Sequence, residues 1–178
     1  MPMEPKAEKW FALKVFYNKI GPIKEEAETA GWPTFIPVRV EEEYTADGLK
    51  YVEKQLIRSL LFIHCTPEWL IAFKHRHFSD LMFYADLETG KPAPIPDKEM
   101  KSFMILTSGN RKVEYLGETL ADFRRGEHVR VTGGIYKGAE GWIKRVKQDR
   151  KFLVAVTGVA VVAVSYIHPE YLEKIETE

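Results

Sequence analysis

Between Glu127 and Ile175 the chain offers only short β-rich runs, each cut off by residues that favour a turn. The runs are Glu127 to Thr132, Glu140 to Lys147, Lys151 to Thr157, Val159 to Ser165 and Tyr171 to Ile175, and the interruptions are Gly133-Gly134, Gly138, Gln148-Asp149 and Gly158. Four or five short strands at this spacing fit a small barrel, which removes exposed strand edges by closing the sheet on itself. The longest apolar stretch, Gly158 to Val164, is too short to cross a bilayer, and its valines favour a buried strand.

The first half carries a different pattern. Lys9 to Tyr17 reads as a strand buried on both faces. A helix follows, with Pro22 in its first turn, Ile23, Ala27 and Ala30 at helical spacing and Gly31 to end it. Thr34 to Glu43 and Leu49 to Gln55 flank Thr45-Ala46-Asp47-Gly48, an Asp-Gly hairpin signal, and the acidic Glu41 to Glu43 should pair across strands with Lys50 and Lys54. Ser59 to Cys65 is the candidate central strand. Thr66 caps the next helix, with Pro67 at its first position and Trp69, Leu70 and Phe73 behind. Leu81 to Ala85 reads as a strand, 91–97 as an extended Pro-rich linker, and Asp97 to Leu106 as a helix with Met100, Phe103 and Met104 on one face. The order β-α-β-β-β-α-β-α predicts an antiparallel sheet with flanking helices, so the whole chain is expected to be α+β. Thr107-Ser108-Gly109-Asn110 breaks the pattern, which divides the chain into 1–108, a linker at 109–124 and 125–178.

Composition narrows the function classes. At 45% hydrophobic and 29% charged, with no low-complexity tract, the chain should be soluble and folded. Met1 to Lys6 lacks the order of a secretion signal, and a lone Cys65 fits a reducing compartment, so a cytoplasmic location is expected, with no membrane association. Lys plus Arg and Asp plus Glu balance at 26 each, so no global field favours nucleic acid. From Arg124 to Lys151, however, basic residues exceed acidic ones by six. Arg130, Lys137, Lys144, Arg145, Lys147, Arg150 and Lys151 are therefore candidate nucleic-acid contacts, set against the alternative of a solvated strand face.

Gly126 to Val146 resembles the KOW motif: Val129 and Val131 alternate inward, a Gly-rich turn carries Ile135 and Tyr136, and Gly141 precedes Trp142, Ile143 and Val146. A glycine there lets a strand bend inside a small barrel where a side chain would collide with the facing strand. The first half resembles the N-terminal domain of NusG-type transcription factors in order and spacing. The matching segments are Trp10 to Leu13, Phe35-Ile36-Pro37 before a hairpin, Leu60 to Ile63 and, most specifically, Gly90 to Pro96. Compactness and short loops look more like the specialised paralogues, RfaH and the capsule-operon antiterminators of Bacteroides, than the housekeeping factor.

The resemblance implies a non-enzymatic elongation and antitermination factor that binds the β′ clamp helices of RNA polymerase and suppresses pausing or premature termination. The implied contact patch is Ala12, Ile57, Leu60, Phe62 and Phe83, with sheet aromatics such as Phe62 serving equally well as core. Ile57-Arg58-Ser59 stands where the family has Phe-Pro-Gly or Phe-Pro-Asn, which makes Arg58 a candidate charge contact. Lys74, His75, Arg76 and His77 fall where relatives approach upstream or non-template DNA or the β gate loop, though they also complement a helix C-terminus. Thr157-Gly158-Val159-Ala160 replaces the loop through which the housekeeping factor meets Rho or the ribosome, which argues against Rho and leaves the ribosome a candidate. A monomer is expected.

No catalytic, cofactor or metal constellation is legible. His64 and Cys65 are adjacent in a strand and point to opposite faces, and His75 and His77 are badly spaced for a shared ligand on a helix. Two rivals stand beside the polymerase reading: an RNA-binding or ribosome-associated KOW protein, and a structural adaptor without effect on elongation.

Overall fold

Phe11, Leu13 and Val15 are buried on one side of the opening strand and Ala12 on the other, as a strand inside a covered sheet requires. The computed structural model describes residues 7–109, 112–165 and 167–176. Its elements run β1 (Lys9–Val15), α1 (Ile20–Thr29), β2 (Thr34–Phe35), β3 (Val38–Thr45), β4 (Gly48–Gln55), β5 (Leu60–Cys65), α2 (Pro67–Arg76), β6 (Leu81–Phe83) and α3 (Asp97–Thr107). There follow β7 (Glu114–Gly117), β8 (Glu127–Val131), β9 (Glu140–Val146), β10 (Asp149–Val156), β11 (Ala160–Val164) and β12 (Leu172–Lys174). They form two units, one of Met1–Ile36 with Arg58–Asp97, the other of Pro37–Ile57 with Lys98–Glu178. The expected readings of Met1 to Lys6 and of Asn110 lie outside the described residues.

The first unit is an antiparallel sheet in the order β2-β5-β1-β6, so β5 is internal as expected. Leu13, Leu61, Ile63 and Cys65 bury one sheet face against Ile23 and Ala27 of α1 and Leu70 and Phe73 of α2. Burial pushes the Cys65 thiol up to about 12, so it is an inert core residue. Gly31 ends α1 at φ 93°, where Trp32 N donates to Ala27 O (3.1 Å) in a Schellman turn. Thr66 Oγ1 caps α2 by accepting from Trp69 N at 3.3 Å.

Two expectations are corrected here. Thr34 to Glu43 is not one strand, because Pro37 lacks the N–H that would continue the ladder, and β2 stops at Phe35. The Pro-rich stretch is more than a linker. Ala93 N donates to Tyr84 O and Ile95 N to Trp10 O, both at 2.9 Å, so the residues between Pro92, Pro94 and Pro96 turn their donors inward along a sheet edge. Prolines alternate with those donors, which keeps the outer side of that edge free of N–H groups.

The second unit joins the β3–β4 hairpin, α3 and a six-stranded antiparallel sheet in the order β12-β8-β9-β10-β11-β7. In β10 and β11, Leu153, Ala155, Val161 and Ala163 pack with Leu116, Leu120 and Val146, while Phe152, Val154, Val162 and Val164 on the other face are buried as well. Ser102 Oγ of α3 accepts from Glu140 N (2.9 Å), and Glu99 accepts from the backbone N (3.1 Å) and hydroxyl of Thr157. These acceptors satisfy N–H groups at a strand start and a loop.

The stretch read as irregular linker supplies β7, which pairs with β11 across a register shift. The turn expected at Gln148-Asp149 falls one residue earlier, with Lys147 at φ 59° and Gln148 at φ 126° and Val146 opposite Asp149. In the β3–β4 turn only Gly48 takes a positive φ, 111°, and Thr45 Oγ1 donates to Gly48 O at 3.0 Å. The register runs unbroken to Thr45 opposite Gly48, so Ala46 and Asp47 form a two-residue loop and the glycine follows it.

Candidate protein-binding surfaces

The face of the first sheet turned away from α1 and α2 carries the alternate residues of β1 and β5. Register sets Lys14 opposite Leu60, Ala12 opposite Phe62 and Trp10 opposite His64, with Phe35 beside Phe62 and Met82 beside Lys14. Ala12, Leu60 and Phe62 thus share this face and are all buried, as is Ile57 of the second unit. Phe83 lies opposite Leu13 and packs with the helix-side core, so the register separates it from the other patch residues. Arg58, Lys14 and Met82 are exposed, Met82 at 54%. Ser59 beside Arg58 stands at φ 68°, a costly conformation for serine that turns the chain into β5.

At the end of α2 the basic cluster is held by local partners. Lys74 Nζ donates to Phe78 O (2.7 Å) and sits over the Phe78 ring. Arg76 and His77 both approach Glu26 of α1, at 3.6 Å and 2.8 Å, the histidine off the hydrogen-bonding line. Lys19 donates to Asp80 at 3.0 Å, holding that carboxyl below its usual range with a smaller contribution from His77. His75 is exposed. Exposed Phe78 (79%) and Tyr17 (78%) escaped the sequence reading, because an aromatic beside a strand or helix end is ordinarily taken for core. A signal existed in Tyr17-Asn18, where both residues turn at φ 57°.

In the C-terminal sheet Val129 and Val131 are buried. A Cβ at Gly141 would meet Leu153 O at 2.2 Å and the Phe152 ring at 3.0 Å, so no other residue fits without moving backbone. Trp142 stacks on His128 from the neighbouring strand, centroids 4.5 Å apart and 11° between planes. Burial, helped by Arg130 and opposed by Glu140, pushes the His128 imidazole below its usual range. Its Nδ1 is buried without a hydrogen-bond partner among the described residues.

Much of the basic stretch is neutralised locally. Arg130 makes a two-nitrogen contact with Glu140 (2.8 and 3.0 Å) and approaches Glu173. Lys151 pairs with Glu114 at 2.5 Å, Lys144 donates to Ala121 O at 2.8 Å, and Arg150 faces Glu127 at 3.9 Å. Lys137, Arg145 and Lys147 are exposed. Among the described residues no group of three or more His, Cys, Asp or Glu could hold a metal ion, and no helix is long and apolar enough to cross a membrane.

Comparison with known proteins agrees with this architecture. A structure described as "Domain interaction in Thermotoga maritima NusG" superposes with a TM-score of 0.50 over 95% of this chain and 98% of that one, at 21% identity, a likeness of fold alone. The transcription termination/antitermination protein NusG of Borreliella burgdorferi is 41% identical over 63 residues, which are 35% of this chain and 34% of that protein. The match thus spans about a third of that relative's length. The KOW motif model matches residues 125–158, which include Gly141 and Trp142. The model of the family described as transcription termination factor nusG matches residues 8–104, more than half of the 178, and the chain belongs to the NusG family.

Proposed function

We propose that this chain is a transcription elongation and antitermination factor that binds RNA polymerase through its first unit and acts in the cytoplasm. The family match over residues 8–104 carries the reading, since it covers the sheet whose face away from α1 and α2 holds Lys14, Leu60, Phe62 and Met82. The clamp helices of β′ are the proposed contact. Exposed Arg58, Lys14 and Met82 make its accessible part, beside the buried Ala12, Leu60 and Phe62. A ligand that prefers the closed clamp shifts the polymerase toward that state, and pausing falls in proportion. Phe78, Tyr17, Lys74 and His75, just past the sheet end where Val15 N meets Ser59 O and Phe16 N meets Asp80 O, are proposed to face the gate loop or the non-template strand, where an exposed ring can stack on a base.

Against the RNA-binding rival speak the local acidic partners of Arg130 and Lys151 and the carbonyl that engages Lys144, which leave fewer cations for phosphates. The test is retention of core RNA polymerase by the immobilised full chain, wild type against the double variant Arg58→Glu, Met82→Glu. Wild type should retain polymerase and shorten pauses in single-round transcription, and the double variant should lose both while keeping its circular dichroism spectrum. Failure of wild type to retain polymerase removes the assignment.

A further inference from the structure

A cavity of about 350 Å³ opens in the second unit where β8, β9, β10 and β12 end together. Val129, Ile143, Phe152 and Leu172 floor it, and Arg150, Lys174 and Glu127 stand at its rim. Two cations share one carboxylate there: Arg150 lies 3.9 Å and Lys174 3.4 Å from Glu127, with side chains 69% and 78% exposed. Both distances exceed a good hydrogen bond, so neither cation is committed. Arg145 is outside the lining but lies directly opposite Arg150 in the β9–β10 register, so it adds a third cation beside the mouth, and it has no acidic partner among the described residues. Like charges directly opposite on neighbouring strands destabilise a sheet, and an anion entering the mouth relieves that repulsion.

The floor decides what kind of anion fits. Phe152 is 1% exposed, so among the described residues lining the cavity no aromatic face is open for a nucleobase to stack on. Three cations also neutralise too few phosphates to drive nucleic-acid binding by counterion release. An apolar floor of this size beneath a positive rim suits a branched aliphatic side chain such as leucine flanked by carboxylates. We propose that this mouth binds an acidic-aliphatic peptide segment, its aliphatic side chain on Ile143 and Leu172 and its carboxylates on Arg145, Arg150 and Lys174. The site lies in the C-terminal sheet and does not depend on the polymerase reading.

The test titrates the full chain into a fluorescein-labelled peptide of alternating Asp and Leu and follows anisotropy. An Asn-Leu peptide, an Asp-Ser peptide and an oligouridylate of similar length are run beside it. The Asp-Leu peptide should saturate, and both altered peptides should bind more weakly. The double variant Arg150→Gln, Lys174→Gln removes two exposed cations, leaves the fold intact by circular dichroism and should weaken the Asp-Leu peptide about fivefold. Absence of saturation at about 1 mM, or binding that the double variant leaves unchanged, overturns the proposal. Tighter binding of the oligouridylate than of the peptide overturns it in favour of nucleic acid.

Discussion

The hairpins β3–β4 and β9–β10 share a plan, antiparallel strands of similar length joined by a tight turn. Both set like charges opposite one another, Arg39 facing Lys54 in the first, but only the first meets those cations with carboxylates of its own strands, Glu41 and Glu43. In β3–β4, Lys54 reaches Glu41 at 3.1 Å and Glu43 at 3.0 Å, and Arg39 pairs with Glu41. In β9–β10, Lys144 faces Lys151 and Arg145 faces Arg150. The neighbourhoods explain why both persist. β3 and β4 form a two-stranded sheet of their own, which is marginal in water and depends on side chains across the strands. β9 and β10 lie between β8 and β11 over a buried core, so packing tolerates repulsion at the surface. The first hairpin answers its cations within its own strands, whereas in the second Lys144 and Lys151 find partners elsewhere and the Arg145–Arg150 pair has only the long contact of Arg150 with Glu127.

The largest expected effect separates packing from conformation. Gly141→Ala forces a methyl against the Leu153 carbonyl and the Phe152 ring and should cost about 3 kcal/mol in urea unfolding followed by circular dichroism. Gly48→Ala meets nothing within 4 Å and bears only the strain of φ 111°, about 1 kcal/mol. Equal costs would mean that the second hairpin is no more packing-dependent than the first.

Acid sharpens the contrast next. Lys54 holds the Glu41 carboxyl below its usual range by a hydrogen bond, with Arg39 adding to the effect. Because the folded value is the depressed one, this stabilisation is present above the unfolded glutamate value and is lost as pH falls through the folded one. Amide exchange in β3–β4, corrected for intrinsic rates, should quicken as pH drops below the ordinary carboxylate range, while the Lys147-Gln148 turn stays unchanged. Lys54→Glu should reproduce the quickening at neutral pH. A variant that exchanges like wild type would show the ion pairs to be bystanders.

Periodicity and caps made most of the fold legible before any coordinates. Valine-rich runs between glycines gave the strands of the C-terminal sheet, and Thr66-Pro67 marked the start of α2. What stayed hidden depended on partners distant in sequence. β7 has weak periodicity of its own and becomes a strand only beside β11, and the Pro-rich edge is a ladder only because Tyr84 and Trp10 offer carbonyls. The turn at Lys147-Gln148 uses two residue types that rarely adopt positive φ, so the better turn residue, Asp149, drew the reading one place too far. For the candidate patch, chain order could place Leu60 and Phe62 but could not show that Phe83 shares a face with Leu13. Burial of the three patch residues that share a face was equally invisible, since alternation marks a face and not what covers it.

The smallest expected effect is also the most discriminating. Arg145→Glu converts one like-charge pair of β9–β10 into the arrangement of β3–β4 and should stabilise that hairpin by about 0.3 kcal/mol, because both positions are exposed and screened. Exchange at the Lys147-Gln148 turn should slow at low salt. The gain should vanish near 1 M salt, where the Debye length falls to about 3 Å. The same substitution removes a cation from the mouth, so stability and affinity for the Asp-Leu peptide should move in opposite directions. A merely tolerated surface charge would change neither, and faster exchange in the variant would show that Arg145 and Arg150 do not repel, which removes the physical basis for setting the two hairpins apart.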